Sequence, residues 1–439
     1  MRSSGIALSV GAAALLAAVC AKSALAADLP PVASQINWNG FYVGADAGAG
    51  FLESRYKRPF SNLGNISTGT IKPQPTYGLL AGFNYMVAPR FLVGLEGRMT
   101  FFDGARFNEL NANLDFLLST RHIDALLARA GYLVSPDTMV YGSLGPARIE
   151  VRGYKNFAGT FDTYLNGIQA AVGIETYVSH NIAIRAEAAN IQSLDTLALN
   201  TGNDLYRPSF LQVALGATYK FDAPAGWGAT PILEPAFVKD AATTWTGFEV
   251  GGFASLNGNA PRYADTVLGT QGSYSDLVIG GGGFVGFNYQ VQPAIVVGVE
   301  ASGDLQKAGF STAAAQGVPP YYLFAVSNGF YAVTARAGWL ANPGTLLYLK
   351  AGPSWIQFKT LANYWDAIVT KDQKTGSHYF KGYEVGIGVE TFVTSNVSVR
   401  VEGDYVHSSD FVIQQGGMTN EFRLQPAILT GSVGAALHF

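Results

Sequence analysis

The stretch WNGFYVGADAGAGF at Trp38–Phe51 returns as WTGFEVGGFASLNG from Trp245, and this internal duplication limits the fold more than any other feature of the chain. Three further pairs keep the same order. AGFNYMVAPRFLVGLEG from Ala81 reappears as VGFNYQVQPAIVVGVEA from Val285, and ARAGYLVSPDTMVYGSLGP from Ala128 as ARAGWLANPGTLLYLKAGP from Ala335. VGIETYVSHNIAIRAEA from Val172 reappears as IGVETFVTSNVSVRVEG from Ile387. The ends agree too, PSFLQVALGATYKF at Pro208–Phe221 with PAILTGSVGAALHF at Pro426–Phe439. A unit of about 185–195 residues is therefore present twice. Whatever it folds into must close on itself or combine with its copy.

Within a unit the hydrophobic period is two. In YEVGIGVET, Tyr383, Val385, Ile387 and Val389 alternate with Glu384, Gly386, Gly388 and Glu390. In VSVRVEGDY, Val397, Val399, Val401 and Tyr405 alternate with Ser398, Arg400, Glu402 and Asp404. A helix would scatter these charges around its circumference, whereas a strand puts them on one face. The first unit predicts eight strands, near 39–51, 75–85, 91–102, 122–134, 138–151, 165–177, 181–193 and 209–221. Brief turns (MVAPR, SPDT, VSHN) alternate with polar loops of roughly 13–23 residues, and the second unit repeats this with QVQPA, NPG and VTSN. Such alternation predicts up-and-down antiparallel hairpins, with the long loops (52–74, 103–121, 152–164, 191–208, 257–276, 306–328, 358–378 and 407–425) on one side and both ends on the other.

The start of the chain and its composition set the surroundings. Met1-Arg2, the apolar GIALSVGAAALLAAVC and ALA at Ala24–Ala26 form the pattern of a cleaved secretory signal peptide over 1–26. Cys20 is the chain's single cysteine and lies inside that segment, with Val19 where a lipidated Cys would follow a small residue. No disulfide or thiolate metal site is then expected beyond it. Of 28 basic residues, Arg2 and Lys22 fall in the segment, and no acid does. The rest carries 26 bases against 31 acids, a formal charge of −5, which gives no basic surface for nucleic acid. Charged residues make up 13% of the chain, half the roughly 25% usual in soluble domains. An exported chain this poor in charge and rich in Gly and aromatics, without a long apolar helix, predicts a transmembrane β-barrel.

ADLPP soon after the cleavage site, the opening W-x-G-F-Y-x-G at Trp38–Gly44 and a closing strand ending in Phe carry a resemblance. The chain resembles the small Gram-negative outer-membrane β-barrel proteins of the immunogenic, opacity-protein-like porin family, once per unit. The resemblance implies an integral outer-membrane protein, a surface antigen, embedded in outer-membrane lipid. It also implies insertion by the barrel-assembly machinery through the C-terminal strand that ends in Phe439. It is nearly silent on activity and on what the surface loops meet.

An all-β chain of this kind can form two tandem eight-stranded barrels or one sixteen-stranded barrel, since both remove free sheet edges. The segment 222–244 holds Pro224, Pro231 and Pro235, shows no strand alternation and is longer than a turn needs. It reads as a linker, which favours two barrels: a lead over 27–37, unit 1 over 38–221 and unit 2 over 245–439. Trp38, Tyr42, Phe221, Trp245 and Phe439 are the expected aromatics of the membrane interface.

The alternation places charges of both signs on the inner faces. They are Glu96, Arg98, Arg129, Glu175, Arg185 and Glu187 in the first unit, and Glu300, Arg336, Lys350, Glu384, Glu390, Arg400, Glu402 and Asp404 in the second. An eight-stranded barrel is just wide enough for its side chains to fill, so these predict a salt-bridged plug, with an ion-selective lining as the alternative. No catalytic group, cofactor or metal is expected. The histidines (122, 180, 378, 407 and 438) lack metal-ligand spacing, HSSD at His407–Asp410 is a polar loop entry, and IGGGGFVGF from Ile279 continues as a strand without a phosphate-binding helix. The leading function is a non-enzymatic envelope protein with exposed loops. A sixteen-stranded diffusion porin is the alternative, and a barrel enzyme a weaker one.

Overall fold

The computed structural model describes residues 36–57, 65–69, 73–102, 106–109, 116–155, 159–199, 204–222, 228, 244–265, 270–273, 275–311, 323–362, 377–409, 411–414 and 421–439. The expected signal peptide, all of the lead except 36–37, and nearly all of the linker lie outside them. Among the described residues the regular structure is all strand.

In the first unit eight long strands follow one another: β1 (Gly40–Lys57), β2 (Gln74–Ala88), β3 (Phe91–Phe102), β4 (Phe116–Ser135), β5 (Thr138–Lys155), β6 (Gly159–Tyr177), β7 (Ile182–Ser193) and β8 (Asp204–Lys220). Each pairs antiparallel with the next, and β1 returns to β8 in continuous register from Tyr42↔Lys220 to Lys57↔Leu205. The second unit repeats this with β9 (Gly247–Asn259), β10 (Asp276–Gln292), β11 (Ile295–Ser311), β12 (Leu323–Asn342), β13 (Thr345–Ala362), β14 (Ser377–Phe392), β15 (Val397–Ser408) and β16 (Ala427–His438). There β9 pairs with β16, from Glu249↔His438 to Asn259↔Ile428. Each unit is thus its own closed eight-stranded barrel. The sixteen-stranded alternative would require β8 to pair with β9, and both strands are already paired within their own units.

Short turns join β2–β3, β4–β5, β6–β7 and their counterparts at one end of each barrel. At the other end several strands run past the length needed to cross the bilayer. β4 and β12 have 20 residues each, against about 9–11 for a crossing. Additional short strands, among them Asn65–Gly69, Arg106–Glu109 and Glu421–Gln425, extend the hairpins there. These extensions explain why β1, β4 and β6 exceed their predicted lengths: in LESRYK, FLLSTR and GTFDTY the strict apolar–polar alternation that reveals a strand is lost.

The barrels are inside-out relative to soluble proteins. Val43, Leu79, Val93, Leu95, Leu126, Leu144, Ile279, Val285 and Val299 are exposed on the outer walls, while charged side chains fill the interior. This is the alternation a lipid-facing wall demands, and a strand array satisfies every backbone group without water only when it is closed.

Candidate functional site: the filled barrel interiors

Both interiors have three layers. At the short-turn end an aromatic cap closes the bore: Trp38 packs with Met86, Leu92, Met139 and Tyr177, and Trp245 with Val296, Leu346 and Phe392. Trp38 is 0% and Trp245 2% exposed, and each indole Nε1 donates to the carbonyl of a turn proline, Pro136 at 2.9 Å and Pro343 at 3.1 Å. The expectation that these tryptophans belong to a lipid-facing belt is therefore corrected, and Tyr42 with them. Tyr42 points inward and donates to Glu96 Oε2 at 2.8 Å. Phe221 and Phe439 are exposed. The residues that face outward near the short turns are Phe41, Tyr85, Phe91, Tyr132 and Tyr219 in the first barrel, and Phe248, Phe287 and Tyr289 in the second. Ring pairs such as Phe41–Phe83 and Phe248–Phe287, at 5.0 and 4.9 Å, join neighbouring strands there.

The middle layer is ionic. In the first barrel Arg185 bridges Glu96 (2.7 Å) and Glu187, Arg98 bridges Glu187 and Asp46, and Arg129 meets Glu175. Lys220 Nζ reaches Glu175 at 2.7 Å, and Tyr141 donates to Glu187 Oε2 at 2.7 Å. The Arg129 guanidinium also lies 3.8 Å from the centre of the Tyr141 ring. The second barrel repeats the skeleton. Arg400 lies between Glu300 (2.6 Å) and Glu402 (3.0 Å), and Arg336 between Glu249 and Glu390, both at 2.7 Å. Its own addition is Lys350, which faces Glu384, Glu402 and Asp404 at 3.1 Å and Glu300 at 3.6 Å. All fourteen charges expected on the inner faces lie there and are buried. Sequence reading missed Asp46, Lys220 and Glu249, which join the same networks, and the buried Asp304, which bonds Ser255 and Asn257.

Glycine makes room for these bulky groups. A Cβ at Gly388 would lie 2.6 Å from the Tyr348 ring, and one at Gly173 would lie 2.5 Å from the ring of Tyr141, the equivalent tyrosine. Only a residue without a side chain lets a barrel this narrow hold an inward tyrosine on the neighbouring strand.

The third layer, toward the long-loop end, is apolar in the first barrel, with Leu52, Phe102, Leu127, Ile149 and Phe210 in one cluster. In the second barrel Phe330, Ile356, Phe358 and Phe380 share that level with a polar knot in which Ser255 donates to Asp304 at 2.6 Å.

The two networks differ in charge. The first sets Asp46, Glu96, Glu175 and Glu187 against Arg98, Arg129, Arg185 and Lys220, four of each sign. The second sets six carboxylates in the ion pairs, with Asp304 nearby, against Arg336, Lys350 and Arg400. A contrast in sign follows for mutants. Glu175→Gln takes one charge from both Arg129 and Lys220 and is expected to lower stability by about 3 kcal/mol or more. Asp404→Asn relieves crowding around Lys350 and is expected to leave the urea midpoint unchanged or raise it. Urea titrations of the protein in lipid vesicles, followed by tryptophan fluorescence, measure both.

Among the described residues two groupings could carry chemistry beyond packing, and both are already engaged. His438, Glu390 and Glu249 lie close enough together to share an ion, but Arg336 already sits 2.7 Å from one oxygen of each carboxylate and would face any second cation. In the HSSD stretch Ser408 is buried and donates to the Pro426 carbonyl at 3.2 Å, and the His407 Nδ1 meets the Tyr405 hydroxyl. Asp410 lies outside the described residues. On the long-loop extensions Arg152 and Asp162 form an exposed two-bond pair at 2.6 and 2.8 Å, which holds the Asp162 carboxyl below its usual range.

Closed strand arrays with apolar walls and ion-paired interiors define a membrane β-barrel protein, here with two barrels in one chain. The chain belongs to the outer membrane protein beta-barrel domain family, which it matches twice, over residues 11–221 and 235–425. It is 33% identical over 184 residues to a 22 kDa outer membrane protein of Rhizobium leguminosarum bv. viciae, a match covering 41% of this chain and 74% of the relative. Among solved structures it is similar to Ail, the attachment invasion locus protein of Yersinia pestis, at 15% identity and a TM-score of 0.25, covering 42% of this chain and 99% of that one. It is also similar to Neisserial surface protein A at 17% identity and a TM-score of 0.26, covering 42% and 97%. The family and fold indicate the outer membrane as its location.

Proposed function

We propose that this protein is a non-enzymatic structural component of the outer membrane that carries surface loops on two filled barrels. The observation behind the reading is the occlusion of both bores. The tryptophan caps and the buried ion pairs leave each interior packed with side chains, and a charge network this closely paired resists rearrangement because any broken pair strands a buried charge. The short turns and both termini then face the periplasm, the long hairpins face outward, and the strand ending in Phe439 serves as the insertion signal for the barrel-assembly machinery.

Planar-bilayer recording of the purified, refolded protein tests this. The expected result is no steady conductance above the bare bilayer. Reproducible steps of constant size, abolished when Arg185 or Arg400 is replaced, would overturn the filled-barrel reading and establish a channel.

A further inference from the structure

The outer walls of the two barrels meet along a seam of buried side chains. Ile174 and Ala186 of the first barrel are buried against Leu347, Val389 and Val401 of the second. Phe51, Leu211 and Val213 are buried against Ala260 and Leu429. At the short-turn end Thr138 and Thr345 share a hydrogen bond of 3.1 Å, and Asn342 donates to Thr138 and Thr176 at 2.9 and 3.1 Å. The duplication makes the arrangement informative. Thr138 corresponds to Thr345, Ile174 to Val389, and Ala186 to Val401. Equivalent surfaces of the two units therefore face each other, as in a two-fold dimer whose subunits have been fused.

The fit across the seam is nevertheless unequal. Phe51 points outward, is 0% exposed, and lies on Gly258, the residue equivalent to itself. A Cβ at Gly258 would overlap the Phe51 ring, and one at Gly403 would overlap the Val213 side chain. Gly431, the counterpart of Val213, rests against Ala188, the counterpart of Gly403, with only 3.2 Å left for a Cβ. At these three contacts the larger residue is on the first barrel and the glycine on the second. With no hydrophobic drive between lipid-facing walls, such close approach and packing is the available source of affinity.

We propose that the seam is a size-complementary interface that joins unlike barrels: the first unit's Phe51 and Val213 are knobs, and the second unit's Gly258 and Gly403 are the hollows that accept them. Two copies of the first barrel would set Phe51 against Phe51. Two copies of the second would leave Gly258 facing Gly258 across a void. Divergence after duplication has thus fixed which barrel docks on which, and holds the pair as one body in the membrane.

The full-length chain in lipid vesicles provides the test. Thr138→Cys with Thr345→Cys supplies a reporter at the short-turn end, far along the strands from Phe51, in a chain whose one natural cysteine lies at position 20. Oxidation is expected to cross-link the two efficiently. Adding Gly258→Phe should cut the cross-linking rate by about tenfold, the size of effect an overpacked contact has on an equilibrium. Adding Phe51→Gly to that variant, which moves the knob to the other barrel, should restore it. Heat-modifiable migration reports barrel closure separately. If Gly258→Phe prevents closure, Gly403→Leu with Val213→Gly as its rescue replaces it. An unchanged rate in the overpacked variant, or a rescue that fails while both barrels remain closed, would overturn the proposal.

Discussion

Arg185→Ala and Arg400→Ala are each expected to destabilise the folded protein by about 3–5 kcal/mol, among the largest losses available to single substitutions in this chain. The two arginines are equivalent in the duplication, fully buried, and each is held between two glutamates, Glu96 and Glu187 or Glu300 and Glu402. Truncation removes one cation from each glutamate: Glu187 keeps Arg98, and Glu300 and Glu402 keep the crowded Lys350, so the carboxylates are left under-compensated far from water, and that penalty exceeds the loss of the ion pairs alone. The guanidinium also fills volume. Arg400 lies 3.3 Å from the centre of the Phe284 ring, so alanine removes packing as well as charge. Urea midpoints in vesicles are the measurement, with Arg152→Ala as the control because that exposed pair should leave the midpoint in place. If Arg185→Ala were as mild as the control, the interior would have to be hydrated, and the proposed filled barrels would lose their physical basis.

The networks behind that expectation were legible in the sequence to the extent that the strands carried enough apolar residues to set the phase. Arg185 and Glu187 stand among Ile182, Ile184 and Ala186, so the faces separate at once. Glu249 escaped because its strand is glycine-rich, and Asp46 because its neighbours are alanines that suit either face. Lys220 stands between Tyr219 and Phe221 in the last residues of its strand, where alternation is shortest. Trp38 and Tyr42 were misplaced for a different reason. Aromatic type suggested the membrane interface, but Tyr42 is in phase with Asp46, and that parity points both into the bore. Phe41, one residue away, takes the lipid-facing position. The seam left almost no trace, because a wall that meets lipid and a wall that meets another barrel are both apolar. Only the outward glycines Gly258, Gly403 and Gly431 hint at a close neighbour.

Each half of the chain, 1–221 as it stands and 245–439 behind a fused signal peptide, is expected to insert and close without the other. Every long strand finds both its neighbours within its own unit, including the closing pairs of β1 with β8 and of β9 with β16. Separation therefore opens no sheet edge, and an open edge is what lipid cannot tolerate. The ionic layers also stay whole, since all their pairs lie within one half. What separation exposes is the seam, whose Ile174, Ala186, Val389 and Val401 are as acceptable to acyl chains as to each other. Its cost is then the packing at Phe51 and Val213 and the threonine–asparagine bonds at the short-turn end, neither of which the closure of a barrel depends on. Monomeric, protease-resistant, heat-modifiable halves in detergent are the expected outcome. Halves that aggregate alone and fold only when expressed together would mean that the seam forms before the barrels close. Folding would then run through the pair, and the two units could not be treated as independent barrels at all.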